Sequence, residues 1–372
     1  MSYRPEDLEG LLETTLQELP NQEIQYVLDH DEYFWCSMFA DDAVSIDGGT
    51  SIVRKVEFDT AGTARYCGIF ETDEYKFKDD IHTIDVHWAK LTASATWDEW
   101  EIVQQKNSKK GFINLVQTRR DQMYIDLADL IEETMIAAPN SATDKSTPFT
   151  LPYYLRFRTA ASDTINTSAG AWNGKAVKFG DGTWSTVCAG IDSATEEKWR
   201  NWCGLYTDVN NAMLKSMRKA LIKTKVKYPV FLNSPLIKER ASKLRAVAPT
   251  DIVLSLMELV DKKDDAHVST AKEVLGGMLV VDDGLVKVNK IPILPLDTLD
   301  QSDGTPIAYS PVYFMDLAFF KPFVHDGYWQ KVDPPTSLKP LQHTAFGMNI
   351  DGAHNILVEN MRRCGFVLHK AS

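Results

Sequence analysis

The element that most constrains this chain is a long amphipathic helix predicted between Asn107 and Ala138. Apolar residues recur along it at helical spacing, which gives the helix one continuous apolar face. They are Phe112, Leu115, Val116, Met123, Leu127, Leu130, Ile131 and Met135. Asn107 or Ser108 can cap the start of the helix, and Pro139 cannot continue its hydrogen-bond ladder.

Such a helix would extend roughly 48 Å, since each residue adds about 1.5 Å. The usual helix of a globular protein has about 11–12 residues. Long helices with one apolar stripe serve as coiled coils, as repeat units, or as spines on which other elements pack. The heptad pattern does not persist beyond this segment, so the sequence predicts a spine.

The totals describe a globular chain without a membrane segment. With 372 residues it can bury a sizeable core and is expected to form two or more lobes. Its 44% apolar and 25% charged residues are typical of soluble proteins. No apolar run is long enough to cross a bilayer, and the acidic start MSYRPEDLEGLLETT is unlike a signal peptide. Five scattered cysteines without a CxxC pair indicate a reduced, cytosolic context.

The net charge of −12 is unevenly distributed along the chain. Residues 1–50 hold twelve acids and one base, whereas residues 215–245 hold ten bases and one acid. These segments could be two solvated faces, which is the common role of charge runs. Alternatively, complementary patches could steer copies of the chain together.

Residues 1–47 are predicted to form a helical acidic arm, interrupted by Pro20 and ending in the aromatic patch Tyr33-Phe34-Trp35. The stretch 49–97 reads as a long ribbon, with strands at Ser51–Phe58, Tyr66–Phe70 and Ile81–Trp97. A two-stranded ribbon is marginally stable alone in water. Its apolar side chains therefore need a surface, supplied by the same chain or by another copy. They are Tyr66, Ile69, Phe70, Tyr75 and Phe77.

The remainder mixes strands and helices without regular alternation, which favours an α+β fold. Strands are predicted at Leu151–Phe157, Tyr228–Asn233, Tyr313–Phe320, Thr344–Ile350 and Cys364–His369, with a hairpin around Asp282-Asp283-Gly284. Helices are predicted at Asp208–Thr224, capped by Asp208, at Pro235–Val247, and at Thr250–Asp261. The apolar face of the long helix is expected to pack on the sheet of the terminal strands.

Searching the sequence for catalytic or cofactor motifs gives no candidate site. The eight histidines are dispersed and form no HExxH motif, and neither a P-loop nor a GxSxG nucleophile elbow is present. Asp282-Asp283-Gly284 lacks the later ligands of a calcium loop. The basic segment 215–245 could contact phosphates, but no nucleic-acid-binding motif accompanies it. We therefore predict no catalytic residue, no cofactor and no metal.

Four blocks of the sequence resemble the major capsid proteins of tailed bacteriophages, which share the Hong Kong 97-type fold. GGTSIVRKVEF with ARYCGIFETDEYKFKDDIHTIDVHWAKL is similar to the extended E-loop of that family and its flanking strands. NSKKGFINLVQTRRDQMYIDLADLIEETMI resembles the spine helix, and DVNNAMLKSMRKALIKTKVKYPVFLNS the entry to the axial domain. HNILVENMRRCGFVLHK resembles the closing strand pair.

The resemblance implies a structural, non-enzymatic subunit that self-assembles as pentamers and hexamers into an icosahedral shell enclosing double-stranded DNA without sequence specificity. The implied divisions are an arm (1–47), the E-loop and its flanking strands (48–100), a peripheral domain (101–197 and 325–372) and an axial domain (198–324). Implied partners are other copies, portal, scaffolding and decoration proteins, but no membrane. The implied location is the virion capsid, assembled in the host cytoplasm.

Contacts between subunits are the candidate functional sites that follow from the resemblance and from the charge pattern. The candidate residues are Lys215, Arg218, Lys219, Tyr66, Phe70, Lys76 and Lys78. Some relatives form a Lys–Asn cross-link aided by a Glu. Lys76 or Lys78 could occupy a comparable loop, but no acceptor Asn or catalytic Glu can be matched, so we predict no cross-link. Residues 1–47 are too short to replace a scaffolding segment, which favours a separate scaffolding protein.

Two other functions remain open from the sequence. A compartment shell of the encapsulin type would have the same fold and would hold enzymes in place of a genome. A soluble α+β enzyme would instead assemble its site from distant residues, for example Asp85, His87 and Asp283.

Overall fold

Each of the two main sheets combines strands that are far apart in the sequence. The computed structural model describes residues 28, 30, 33–59, 62–72, 75–98, 100, 109–157, 170–225, 241–261, 272–274, 279–282, 285–300, 308–338 and 344–370. Its mixture of sheets and helices confirms the α+β class.

A six-stranded sheet is built around one unusually long strand, β20 (Ala345–Val358). Along one edge β20 pairs antiparallel with β4 (Ala89–Asp98), from Ala345 opposite Asp98 to His354 opposite Ala89. Its other edge pairs with three short partners. These are β19 (Thr336–Ser337), β18 (Lys331–Val332) and β17 (Phe320–His325), and β1 (Val44–Ile46) adds to β17 in parallel.

A nine-stranded mixed sheet contains nine of the strands that lie between residues 171 and 370. Its order is β12 (Lys272–Val274), β13 (Leu279–Asp282), β14 (Leu285–Val288), β15 (Ile291–Pro295), β11 (Leu244–Ala248), β16 (Val312–Asp316), β21 (Gly365–Lys370), β10 (Asn201–Tyr206) and β5 (Ala171–Gly174). Asp282 pairs with Leu285, which confirms the hairpin predicted there.

Two helices bury an apolar face against this larger sheet. The first is α4 (Asn211–Lys223), whose Met213, Leu214, Met217, Ala220 and Leu221 are buried. The second, α5 (Thr250–Asp261), confirms the predicted helix at those residues and buries Ile252, Val253, Leu256 and Val260. Both faces join Ala246, Phe314 and Phe366 of the sheet in one apolar cluster.

The long helix is present as α2 (Lys109–Ile136). Its Met123 and Leu127 pack with Leu91 and Trp97 of β4 and with Met348 and Ile350 of β20. The predicted packing is thus confirmed for β20, but the terminal strands do not form one sheet, because β21 belongs to the nine-stranded sheet. Leu130 was expected on the apolar face but is exposed, while Ile131 and Met135 are buried.

The arm's last residues form helix α1 (Phe34–Asp42), which lies on the spine helix α2 and on β17. Phe34, Trp35, Met38 and Phe39 are buried, and the ring of Phe39 stacks on Trp329 at 5.4 Å between centroids. The aromatic patch predicted at the end of the arm is therefore part of the core. Residues 1–27 lie outside the described residues.

The remaining pieces are short. Helix α3 (Leu151–Tyr154) follows the loop after α2, and helix α6 (Met361–Cys364) joins β20 to β21. Two small hairpins pair β6 (Val177–Lys178) with β7 (Trp184–Ser185), and β8 (Val187–Cys188) with β9 (Ile191–Asp192). A separate ribbon pairs β2 (Ser51–Glu57) with β3 (Ile81–His87), which confirms the strand predicted at Ser51–Phe58. The single strand predicted at Ile81–Trp97 is wrong in extent, because it is divided into β3 and β4, which belong to different sheets.

Three predicted strands were wrong in their local structure. Residues 66–70 form no strand, and Phe70 adopts a positive φ of 68° in a turn. Leu151–Tyr154 is helical because Pro152 stands in its first turn, where its fixed φ suits a helix start. The predicted strand Tyr313–Phe320 is two strands, β16 and β17, which belong to different sheets.

Two helix predictions also need correction. Asn210, and not Asp208, caps α4, because its side chain accepts the backbone N–H groups of Ala212 and Met213. The segment expected as a helix to Val247 ends in strand β11, which begins at Leu244 and pairs on both edges. Its part before residue 241, like the predicted strand Tyr228–Asn233, lies outside the described residues.

The predicted domain boundaries at residues 198 and 325 remain predictions, and both sheets cross them. Strands β5 and β21 lie outside the range 198–324 but belong to the nine-stranded sheet. Strand β17 lies inside that range except for His325, its last residue, but belongs to the six-stranded sheet. The chain passes between sheets at Asp316, whose buried carboxylate accepts the backbone N–H groups of Lys243 and Ala318.

Gly365 provides a test of this junction, because its φ is +150° and an added Cβ would lie 2.0 Å from the carbonyl oxygen of Phe314. We expect Gly365→Ala to lower the free energy of unfolding by more than about 3 kcal/mol, since overpacking adds to backbone strain. Gly327→Ala is the matched control, because Gly327 also has a positive φ but open space around it. Denaturant titration of both variants measures the difference, and equal losses would contradict it.

Candidate functional site

The ribbon of β2 and β3 extends into a loop, residues 58–80, that we call the E-loop. Five large apolar side chains of the loop are almost completely exposed. They are Tyr66, Ile69, Phe70, Tyr75 and Phe77. Burying one such side chain is worth about 1.5–3 kcal/mol. No described part of the chain covers these side chains.

A local turn holds the tip of the E-loop together. The guanidinium of Arg65 lies 2.8 Å from a carboxylate oxygen of Glu71. The other carboxylate oxygen of Glu71 accepts the backbone N–H of Gly68 at 2.7 Å. These contacts span few residues, so the turn at the tip is formed by contacts within the loop itself. The turn presents Tyr66 and Phe70 outward.

The base of the E-loop is fixed to the body by a network of charges. Asp59 lies 2.9 Å from the ammonium of Lys78 and 3.5 Å from that of Lys198. Lys198 also donates to the backbone carbonyl of Phe58. The ring of Phe58 packs between the rings of His82 and Trp199. Because Lys198 and Trp199 belong to the body, the root of the loop is held while its tip projects.

The same network contains the one group of possible metal ligands found among the described residues. Ligand atoms of Asp80, His82 and Glu196 lie within 4.8 Å of one another. The imidazole of His82 is 3.3 Å from Asp80 and 3.7 Å from Glu196, while the ammonium of Lys78 is 3.9 Å from Asp80. Lys78 already supplies a positive charge here, so the contacts in place describe an ion-pair network.

A cleft of about 870 Å³ lies on the body beside the end of the ribbon that is remote from the E-loop, where Ser51 pairs with His87. Asp85 and His87, two of the three residues named above for an enzyme site, line it together with Lys90, His325 and Trp88. Asp283, the third such residue, lies outside the described residues. His87 contacts the carbonyl of Thr147, and Trp88 donates to the carbonyl of Gly49. These polar groups are thus bound to backbone atoms that shape the cleft.

The basic candidate residues Lys215, Arg218 and Lys219 are all exposed on α4. The ammonium of Lys219 lies 5.6 Å from the ring centroid of Trp202. Of the loop candidates, Tyr66, Phe70, Lys76 and Lys78 are all exposed, and Lys78 pairs with Asp59 at the root. The structure therefore separates the candidates into an apolar tip, an ion-paired root and a basic helix face.

A buried carboxylate joins the arm to the spine helix. Glu132 of α2 is 1% exposed and accepts the backbone N–H of Cys36 at 2.9 Å, in the first turn of α1. The hydroxyl of Tyr33 donates to Asp129, one turn earlier on α2, at 2.6 Å. Burial raises the pKa of Glu132 to about 7, although the backbone N–H groups of Cys36 and Trp35 oppose this shift.

Sequence reasoning missed Glu132, the turn of Arg65 with Glu71, and the pairing of Asp59 with Lys198. Only the buried position of Glu132 had a signal in the sequence. Glu132 follows Ile131 and precedes Met135 by three residues, so it borders the apolar stripe of the helix. The other two contacts depend on where the chain turns back, which no periodicity encodes.

Comparison of the sequence with protein-family models and with curated proteins gives no match. Solved structures do match along nearly the whole chain. The capsid asymmetric unit of cyanophage A-1(L) aligns with a TM-score of 0.59 at 14% identity, covering 97% of this chain and 99% of that chain. The chain has the Hong Kong 97-type capsid fold.

The capsid of a native GTA particle is also similar, with a TM-score of 0.57 at 9% identity and 96% of both chains covered. The capsid of an empty GTA particle gives a TM-score of 0.51 at 11% identity, covering 94% of this chain and all of that one. At such identities the likeness concerns the backbone, and the resemblance of the four sequence blocks is confirmed at the level of the fold. In the described part of the chain, no helix combines the length and the apolar character that a membrane span requires.

Glu132 leads to a prediction about pH. The folded chain binds this proton more tightly than the unfolded chain, whose carboxyl has a pKa near 4.5. The protonated side chain thus stabilises the fold fully below that value, and the contribution is lost as the pH rises through about 7. We expect the stability of the natural chain, relative to Glu132→Gln, to fall by about 1.4 kcal/mol per pH unit between these values. Urea titrations at several pH values measure it, and a constant difference would contradict it.

The root network leads to a prediction about the motion of the E-loop. Asp59→Asn removes the charge that Lys78 and Lys198 share, at a cost of about 0–1 kcal/mol in stability. We expect faster hydrogen exchange of the amides in residues 75–82 without a change in the exchange of β20. Asp47→Asn, an exposed acid beside the turn that precedes β2, is the control. Equal exchange in the two variants would show that the root is held by other contacts.

Proposed function

We propose that this chain is a major capsid protein that self-assembles as pentamers and hexamers into an icosahedral shell. The observation that carries the proposal is the E-loop, a rooted ribbon whose tip exposes five large apolar side chains. Exposed apolar clusters of this kind mark surfaces that bind other proteins. The likeness of the fold to capsid structures makes another copy of the chain the natural partner.

The energy of the E-loop contact supports a role in assembly. Five exposed side chains at about 1.5–3 kcal/mol each could supply roughly 7–15 kcal/mol if a neighbour buried them completely. Association and ordering of side chains subtract a large part of this sum. The surplus per contact is therefore modest, and a closed shell gains its stability by repeating the contact around its symmetry axes.

In the proposed shell, residues 48–100 form the E-loop with its flanking strands. Residues 101–197 and 325–372 form the peripheral domain, and residues 198–324 form the axial domain near the capsomer centre. The two sheets support a division into two such bodies, although strands β5, β17 and β21 cross the proposed boundaries. Lys215, Arg218, Lys219, Tyr66, Phe70, Lys76 and Lys78 are proposed to face neighbouring subunits.

The shell is proposed to enclose double-stranded DNA without sequence specificity, and to be assembled in the host cytoplasm with portal, scaffolding and decoration proteins. The role is structural and not enzymatic, since the candidate contacts require shape and charge but no chemistry. A subunit of this kind works through repeated surfaces, and its cleft beside His87 needs no substrate to explain it.

Electron microscopy of the purified protein tests the proposal. We expect closed shells or capsomers in the natural chain, and their loss in the double variant Tyr66→Ser with Phe70→Ser. The reason is that serine removes the apolar area that a neighbour would bury, while both side chains are already exposed in the single chain. The melting temperature of the variant should therefore stay unchanged.

Val187→Ser is the matched control, because Val187 is an exposed apolar residue on the body of the chain. It should assemble like the natural chain. A monomer that persists at high concentration, with or without the proposed partners, would refute the shell function. Normal assembly of the Tyr66 and Phe70 variant would refute the role of the loop tip.

A further inference from the structure

We propose that the basic outer face of α4 in one copy binds the acidic outer face of α5 in the next copy. This inference rests on the proposed shell function and names one of the surfaces through which neighbouring copies meet. The two helices lie on the same apolar cluster of the nine-stranded sheet, and each turns a charged face to solvent. The charges of the two faces are opposite.

Helix α4 contains four bases and no acid. Lys215, Arg218, Lys219 and Lys223 are all exposed. Beside these charges Ile222 leaves 65% of its surface exposed. The outer face of α4 is thus a basic stripe with one uncovered aliphatic side chain.

Helix α5 has the complementary pattern. Asp251, Leu254 and Glu258 follow one another at spacings of three and four residues, so they share one face of the helix. All three are exposed, and Leu254 leaves 52% of its surface uncovered. The helix contains three acids and no base. Its outer face is therefore an acidic stripe that also carries one exposed aliphatic side chain.

The acidic stripe borders a cleft of about 580 Å³ between α5 and the segment before α4. Asp208, Asp251 and Glu258 line this cleft, and Lys370 is the base among its lining residues. Three carboxylates against one ammonium leave a net negative site. A cleft of this size can receive the long side chain of a lysine or an arginine from a neighbour.

Charge and shape both favour a second copy as the occupant. The aliphatic side chains of Ile222 and Leu254 would be covered when the stripes meet, and the surrounding charges would be paired. Because the contact joins two different surfaces, it repeats head to tail, and such a repeat that closes gives a ring. The proposed capsomers are rings of this kind.

Salt dependence follows from the nature of the contact. Exposed charges are screened within about 10 Å at 0.1 M salt, so the contact should weaken as salt increases. Charged surfaces also set the rate and the register of association more than its final affinity. We therefore expect the largest effect on the rate of assembly at low salt.

Charge reversal of either stripe tests the inference. The first variant combines Lys215→Glu, Arg218→Glu and Lys219→Glu, which leaves three acids against Lys223 on α4. The second variant combines Asp251→Lys with Glu258→Lys. In each, both stripes carry the same sign, and we expect the initial rate of assembly at low salt to fall by about tenfold or more. A chain that carries all five substitutions restores opposite charges and should recover most of the rate. Lys290→Glu, exposed on a turn of the same sheet, is the control.

Mixing the two reversed variants gives a second readout. Each variant alone should assemble at the reduced rate, whereas the mixture should form rings quickly, with the two variants alternating. Alternation closes in a ring of six but not in a ring of five, so the mixture should yield hexamers and few closed shells. Recovery in the combined variant or in the mixture cannot come from a misfolded chain.

Light scattering and sedimentation measure these outcomes and separate the two proposals. If the natural chain forms shells and both reversed variants form them equally fast, the contact is refuted while the shell function stands. If the natural chain forms no shell, the shell function fails. Sedimentation then still reports whether the copies self-associate through the stripes, and equal behaviour of all variants would overturn the contact.

Discussion

The pairing of β20 with β4 holds this molecule together. Ten consecutive residue pairs join these strands, from Ala345 with Asp98 to His354 with Ala89. On one side of this pairing lies the spine helix α2, and on the other edge of β20 the strands β17, β18 and β19 add to the sheet. The amide of Asn355 at the end of the pairing accepts the N–H of Phe149 and donates to the carbonyl of His87. A single strand near the end of the chain thus fixes the position of the ribbon, the spine and the loop after it.

This arrangement explains how the E-loop can project from a stable body. Strand β3 runs into β4 within two residues, so the ribbon is continuous with the sheet that β20 organises. At the other end of the ribbon, the ion pairs of Asp59 with Lys78 and Lys198 fix the root of the E-loop. Neither device constrains the tip, which has its own turn. The contacts that hold the loop to the body therefore lie at its root, and the exposed apolar side chains lie beyond them.

Much of this architecture could be predicted from periodicity. The alternation around Ile84 and Val86 predicted β3, and the recurrence of Met123, Leu127 and Ile131 predicted the buried face of the spine helix. Both patterns repeat over many residues, so they can be recognised in one sequence without an alignment. The order of elements then sufficed for the resemblance to the Hong Kong 97-type fold, which solved structures confirm at 14% identity or less.

Features that depend on one contact could not be predicted in this way. Leu151–Tyr154 is too short for its apolar pattern to distinguish a helix from a strand, and Pro152 decided the result. The run from Tyr313 to Phe320 is uniformly apolar apart from Asp316, where the chain changes sheets. That lone acid in a buried run was the available signal, since a buried carboxylate needs several donors. The proposed subunit contacts lie furthest from prediction, because the surface that they would bind belongs to another copy of the chain.

The independence of the E-loop tip has a kinetic consequence. Gly68 lies nine positions after Asp59, where the loop is fixed to the body, so an extended strand of the loop can place its tip up to about 30–32 Å from the body. A tip that is already folded by Arg65 and Glu71 can make its contact before two bodies touch. Proteins with such reaching segments enlarge the target that a diffusing partner must find. In the proposed assembly, the loop would first bind a neighbouring subunit weakly. The two bodies could then reorient until their rigid surfaces fit, or separate if they do not fit.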